Sequence, residues 1–266
     1  MTPPPTPARP WQVEALSVRI FPSQPALAAD AAHTAAAILR EAIQARGVAR
    51  VILAAANSQI QTLDALTATP GLDWSRVTVL HMDEYLGLPP GHPASFRRFL
   101  RERVADRVRL AAFHGIAGEA EEPLTECDRY AALLAAAPVD LCLCGIGENG
   151  HLAFNDPPVA DFADRRAIKL VKLDEACRRQ QVGEGHFASL AEVPQFAYTL
   201  TIPALFSARR VLCVVPEHRK ARAVADALQG PLATACPASF LRRQAHATLF
   251  LDADSASLLA NPPVSR

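Results

Sequence analysis

Several things are missing from this chain of 266 residues, and each absence excludes something. Its apolar runs, such as Tyr130–Val139, fall far short of the roughly 20 residues that cross a bilayer. Neither charge is in excess: Lys+Arg 27 against Asp+Glu 27 gives a formal charge of zero, so there is no broad electrostatic footprint for nucleic acid or an anionic membrane. Six cysteines stand at 127, 142, 144, 177, 213 and 236, with no Cys-x-x-Cys spacing that would point to zinc. Met1–Pro10 is proline-rich and lacks a basic stretch leading into an apolar one, so no export signal is read there. Reduced thiols in a cytoplasmic protein are the expectation. What is present is enough apolar material for a core: 50% hydrophobic and 20% charged residues, with mean hydropathy +0.09.

Length alone allows roughly 1.8 domains at about 150 residues each, yet no linker or internal repeat divides the chain. Short apolar segments alternate with longer alanine-rich ones. Strands are predicted over Leu16–Phe21, Val51–Ala55, Val77–Met82, Leu141–Cys144, Leu212–Val215 and Thr248–Leu251. Helices are predicted from Ser23, as N-cap, to about Ala45 before Gly47, and over Ile60–Ala68, Ser95–Val104, Leu124–Ala136, Glu217–Leu228 and Asp254–Leu259. On a strand, Cys142 and Cys144 share one face and belong to the core. Near-continuous apolar strands in a βαβα rhythm predict a single doubly wound, mostly parallel sheet with helices on both faces, a Rossmann-like α/β fold. Residues 1–14 are expected to be a disordered tail and 15–266 one domain, with an irregular insertion at about 156–203 where the rhythm breaks.

Ligands in such sheets bind beyond the carboxyl ends of the strands, and polar groups follow five of the predicted ones. Asn57-Ser58-Gln59, Asp83-Glu84-Tyr85, Gly145–His151, Glu217–Lys220 and Asp252-Ala253-Asp254 occupy those places. Helix capping accounts for the last pair. Adjacent acids such as Asp83 and Glu84 are compatible with a solvated turn as well as with a site. Gly145-Ile146-Gly147-Glu148-Asn149-Gly150 has three glycines that let backbone amides approach a ligand. It also fits G-x-G-x-x-G, but no long helix follows and the strand lies mid-chain, which argues against a dinucleotide.

Two stretches taken together are more specific. His81-Met82-Asp83-Glu84-Tyr85-Leu86-Gly87-Leu88-Pro89 is followed by Gly145-Ile146-Gly147-Glu148-Asn149-Gly150-His151-Leu152-Ala153-Phe154-Asn155-Asp156-Pro157. This pair resembles the glucosamine-6-phosphate deaminase (isomerase) family, whose superfamily includes the 6-phosphogluconolactonases. Similarity at Val193–Thr201 and Arg219–Val224 extends the resemblance over most of the chain. It implies conversion of glucosamine 6-phosphate to fructose 6-phosphate and ammonia with no metal or organic cofactor. The partner is a small amino-sugar phosphate, and a homo-oligomer is compatible with it. It further implies that Asp83 is the base that moves a proton between C1 and C2, and that His151 opens the ring. Asp156, one methylene shorter than the family's glutamate, would orient His151, and Lys220 would bind phosphate at a helix start. Glu84, beside Asp83, can raise its pKa by like-charge repulsion. Gly147 lies in the glycine-rich turn.

Three departures from the family pattern stand out. Asn149 replaces an acid next to the histidine; its amide can accept a hydrogen bond but brings no charge. The phosphate loop, Ala55-Ala56-Asn57-Ser58-Gln59, has no glycine, leaving Asn57, Ser58, Gln59 and helix amides to hold an anion. The phosphate-binding arginine has no assured counterpart, with Arg178 and Arg179 as candidates. The alternatives are a lactone hydrolase on the same fold and a non-catalytic sugar-phosphate-binding protein.

Overall fold

Val51, Ile52 and Leu53 are all fully buried, yet they alternate between two separate cores. Strand side chains point to opposite faces in turn, so a strand apolar at every position has both faces covered. The computed structural model describes residues 11–260 and shows this for the inner strands of the central sheet, while the edge strands are partly exposed. Strands β2 (Leu16–Phe21), β3 (Ala49–Leu53), β4 (Val77–His81), β6 (Ala112–His114), β7 (Leu141–Cys144), β10 (Arg210–Val215) and β11 (Ala247–Asp252) run parallel. With β1 (Trp11–Val13) antiparallel on the edge, the order is β1-β2-β11-β10-β7-β3-β4-β6. The α/β class and the mostly parallel sheet are as expected. Trp11–Val13, assigned to the tail on sequence grounds, pairs with β2 instead; residues 1–10 of that tail lie outside the described residues.

Helix α1 (Gln24–Arg46) lays Leu27, Ala28, Ala31, Ala32, Ala35, Ala36, Leu39 and Ala42 on the sheet. Alanine favours helix and lets the backbone approach the strands closely. It ends where Gly47, at φ 79°, returns its N–H to the Ile43 carbonyl at 2.8 Å. Ser23 precedes the helix as predicted, but its side chain makes no capping bond. Helices α2 (Ile60–Thr67), α3 (Phe96–Leu100), α4 (Pro123–Ala135), α5 (Glu175–Gly183), α6 (Ile202–Phe206) and α7 (Ala221–Gln229) complete the set, α3 continuing as a wider turn to Ala105. Cys142, Cys144 and Cys213 share one core, and all six cysteines are unpaired.

Two expectations are corrected. The segment predicted as irregular carries β8 (Ile168–Lys172), α5 and β9 (Phe196–Leu200). With β5 (Asp83–Tyr85) the two strands form a second, antiparallel sheet in the order β5-β9-β8. The protein therefore has two sheets, and the chain passes from one to the other at Met82. Leu200 N–H donates to the Met82 carbonyl there at 2.8 Å, so the crossing is pinned. Residues 254–259 form turns rather than a helix, because Asp252 and Ser255 satisfy one another's backbone: the Asp252 N–H reaches Ser255 Oγ at 3.1 Å and the Ser255 N–H reaches Asp252 Oδ1 at 2.8 Å.

Candidate active site

Sheet order reverses between β3 and β7, and a cleft opens at that point beyond the strands' carboxyl ends. It is lined by the segments that follow β3, β4, β7 and β10. Ser58, Gln59, Asp83, Gly147, His151 and Lys220 all line it. Four of the five expected strand ends thus converge. Asp252, after β11, instead receives the Glu217 N–H at 3.2 and 3.1 Å.

Asp83 and Glu84 are neighbours on β5, so their side chains leave opposite faces. Asp83 points into the cleft. Burial, and then the neighbouring Glu84 charge, push its carboxyl well above the usual carboxylate range. Glu84 does not line the cleft. It accepts from Ser95 Oγ (2.8 Å) and from the N–H groups of Tyr85, Phe96 and Arg97 at 3.0, 3.2 and 2.9 Å, and so caps the start of α3. Its expected place among the substrate contacts is corrected: it supports the wall behind Asp83.

The turn after β7 is shaped by two close approaches. Gly150, at φ 83°, donates to the Gly147 carbonyl at 3.0 Å, and the Gly147 N–H reaches the His151 carbonyl at 3.0 Å. A methyl group on Gly147 would lie 2.1 Å from His151 Nε2, so the imidazole rests directly on this glycine. Asn149 is bonded at both ends: its Oδ1 accepts from the His151 N–H at 3.1 Å and its Nδ2 donates to Asp156 Oδ1 at 3.0 Å. Asp156 is fully buried and its Oδ1 lies 2.9 Å from His151 Nδ1. The contact is an electrostatic approach rather than an aligned hydrogen bond, because the ring N–H points off the oxygen axis. Asp174 N–H reaches Asp156 Oδ2 at 3.1 Å. Burial acts to raise the Asp156 carboxyl, but His151, Asn149 and the Asp174 amide outweigh it and hold it below the ordinary range. A carboxylate at Nδ1 assigns the proton to that nitrogen and leaves Nε2 as the basic one.

After β3, Ser58 and Gln59 begin the turn into α2, and Gln59 Nε2 donates to the Val214 carbonyl at 3.0 Å. Asn57 does not line the cleft; its Nδ2 donates to the Glu184 carbonyl at 3.3 Å. Lys220 is buried rather than exposed, and burial lowers its pKa against the opposing pull of Glu184. Its loop begins at Glu217, whose φ of 82° and ψ of 139° is a backbone region that side chains rarely adopt.

Arg179 is not brought to the site. It faces solvent and pairs with Glu175 one turn back on α5, with Nε to Oε1 at 2.9 Å. Arg178 is tied to the carbonyls of Leu190 (2.6 Å) and Val193 (2.9 Å). Gln180 and Gln181 of α5, with Glu184 and His186 from the turn that follows it, line the cleft instead, none of them expected from the sequence. Helical spacing from buried Cys177 to Gln181 was the available signal. Glu184 accepts from Gln180 Nε2 (2.8 Å) and Arg219 (3.0 Å), with His186 Nε2 3.4 Å away. Although burial works against its charge, these partners and Lys220 bring its pKa down to about 2. Arg219 also meets Glu217 at 2.6 Å and Glu148 at 3.6 Å, joining three loops at the mouth of the cleft.

An open parallel sheet with a cleft of ionisable groups at its switch point defines an α/β ligand-binding architecture of the enzyme type. The chain belongs to the family of glucosamine-6-phosphate isomerases and 6-phosphogluconolactonases, whose pattern it matches over residues 22–250. It is 38% identical over 230 residues to a glucosamine-6-phosphate deaminase of Pseudarthrobacter chlorophenolicus, covering 85% of this chain and 87% of that one. To the Arthrobacter sp. protein of the same name it is 36% identical over 250 residues, 92% and 93% of the two chains. Among solved structures it is similar to a monomeric glucosamine-6-phosphate deaminase, with TM-score 0.83, 29% identity, and coverage of 91% and 99%. A 6-phosphogluconolactonase from Shewanella baltica shares the fold, with TM-score 0.74 and 19% identity over 91% of this chain and all of that one.

Proposed function

We propose that the chain deaminates and isomerises glucosamine 6-phosphate to fructose 6-phosphate and ammonia. The observation that carries this reading is that Asp83, the His151–Asp156 pair and Lys220 face one cleft. In the mechanism, His151 Nε2 takes the proton of the C1 hydroxyl as the ring C1–O5 bond breaks, and the proton is relayed to O5. Asp156 supports the imidazolium that forms in between. Asp83 then removes the C2 proton from the open aldehyde to give an enolamine and returns it to C1. Burial makes this carboxylate a stronger base, suited to a carbon acid. Water adds to the resulting C2 imine and ammonia leaves. Lys220 holds the phosphate, with Ser58 Oγ and the amides at the start of α2 as donors.

Six unpaired thiols support a cytoplasmic setting, and a small sugar phosphate is the partner. Among the described residues no helix is long and apolar enough to cross a membrane. The lactonase reading keeps the fold but has no use for a base over C2, so the buried, activated Asp83 favours deamination. The test is ammonia release from glucosamine 6-phosphate with fructose 6-phosphate identified as product. Consumption of 6-phosphogluconolactone without ammonia release from the amino sugar would replace this reading with the lactonase.

A further inference from the structure

Around His151 three different donor types meet. The imidazole of His151, the carboxylate of Asp156 and the thiol of Cys177 each offer one atom, and these atoms all lie within 4.8 Å of one another. All three residues are buried. Buried His151 Nδ1 has no aligned hydrogen-bond partner, although Asp156 Oδ1 is 2.9 Å away. Cys177 comes from α5, whereas the other two come from the segment after β7, so the packing of α5 creates the cluster. An imidazole nitrogen, a carboxylate oxygen and a sulfur are the donors zinc prefers, and three protein ligands leave a fourth position open. His151 itself lines the cleft, which gives an ion a route in.

We propose that His151, Asp156 and Cys177 form a site for a borderline-soft divalent cation, zinc above all, and that its occupation switches catalysis off. Binding replaces the thiol proton: Zn²⁺ and Cys177–SH give the zinc thiolate and one H⁺. Asp156 is already ionised and needs no such step. Zinc on Nδ1 displaces the proton from that nitrogen and consigns it to Nε2. An Nε2–H can donate but cannot accept the C1 hydroxyl proton. The ring-opening step is lost while Lys220 and Ser58, which are not among the three ligands, still bind phosphate. This is inhibition of kcat with KM nearly unchanged.

Metal binding is independent of the proposed activity, and only the inhibition arm rests on it. The full chain, with thiols reduced and reductant removed, is titrated with Co²⁺ as a spectroscopic stand-in. The expected result is a thiolate-to-cobalt charge-transfer band that saturates at one equivalent and is bleached by Zn²⁺. Cys177→Ser should abolish the band, whereas Cys213→Ser, in the sheet core, should keep it. Circular dichroism confirms that both variants are folded, and His151→Gln supplies a second test by weakening cobalt binding at least about tenfold. A band that survives Cys177→Ser, or no band in the unaltered chain, overturns the site. In the activity arm, Zn²⁺ should lower kcat of the unaltered protein at a concentration at least about tenfold below that needed for Cys177→Ser. Equal sensitivity overturns the switch. If the unaltered chain releases no ammonia from glucosamine 6-phosphate, the proposed function fails instead, and the cobalt result stands by itself.

Discussion

Asp83 and Glu84 are adjacent on β5, yet one faces the cleft and the other anchors the start of α3. Two buried acids side by side are costly, and the cost falls on Asp83, which has no donor comparable to the four that Glu84 receives. An acid whose pKa is raised by folding binds more protons folded than unfolded, so its stabilising neutral form is lost as pH rises above the ordinary carboxylate range.

Asp83→Asn is therefore expected to raise the melting temperature at pH 7.5, with the gain shrinking towards pH 4. The same variant should lose both C2 proton exchange and ammonia release by at least about a hundredfold. Thermal unfolding at the two pH values and deuterium incorporation followed by NMR measure these effects. A variant that is less stable at both pH values, or that still exchanges, would remove Asp83 from its role.

Gly147→Ala places a methyl group where the His151 ring now lies. The imidazole must move by about an ångström or more, and turnover of the cyclic sugar should fall roughly a hundredfold with the fold intact. The histidine ring resonances in NMR should shift while the backbone spectrum elsewhere does not. Unchanged turnover would show that the ring position is immaterial.

Lys220 is buried, and its charge is opposed by desolvation. Lys220→Met is expected to raise KM for glucosamine 6-phosphate at least about tenfold, with the melting temperature at pH 7 unchanged or higher. An unaltered KM would place the phosphate elsewhere.

Glu217 is held in its unusual backbone conformation by the carboxylate of Asp252. Asp252→Ala should cost about 1–3 kcal/mol in denaturant unfolding, through the orphaned Glu217 and Ser255 N–H groups. Adding Glu217→Gly should recover roughly 1 kcal/mol by relieving the strain. Absence of any recovery would mean that the conformation stores no strain.

The parallel sheet was legible because its strands are apolar at nearly every position, and Leu141–Cys144 appears with the same bounds in sequence and structure. The cleft was legible to the extent that its residues follow those strands: Ser58, Gln59, Asp83, Gly147, His151 and Lys220 converge. Contributions made across the second sheet were not legible. Asp83-Glu84-Tyr85 does not look like a strand, since its pairing with Ala197–Thr199 is fixed by residues more than a hundred positions away. Arg179 drew attention by its charge, but the rotation of α5 decides which residues face inward, and it turns Gln180 and Gln181 there.

The division of labour between the two sheets has a mechanical consequence. Asp83 is carried by the small antiparallel sheet, while His151 and Lys220 hang from loops of the large parallel one, and Met82 joins the two. The distance from base to carbon is thus set by how one layer sits on the other. A slide of an ångström between them changes the reach of the base relative to His151 and Lys220. Selection can therefore retune the rate from positions such as Lys172 or Phe196, on the exposed side of the small sheet, without altering a single lining residue.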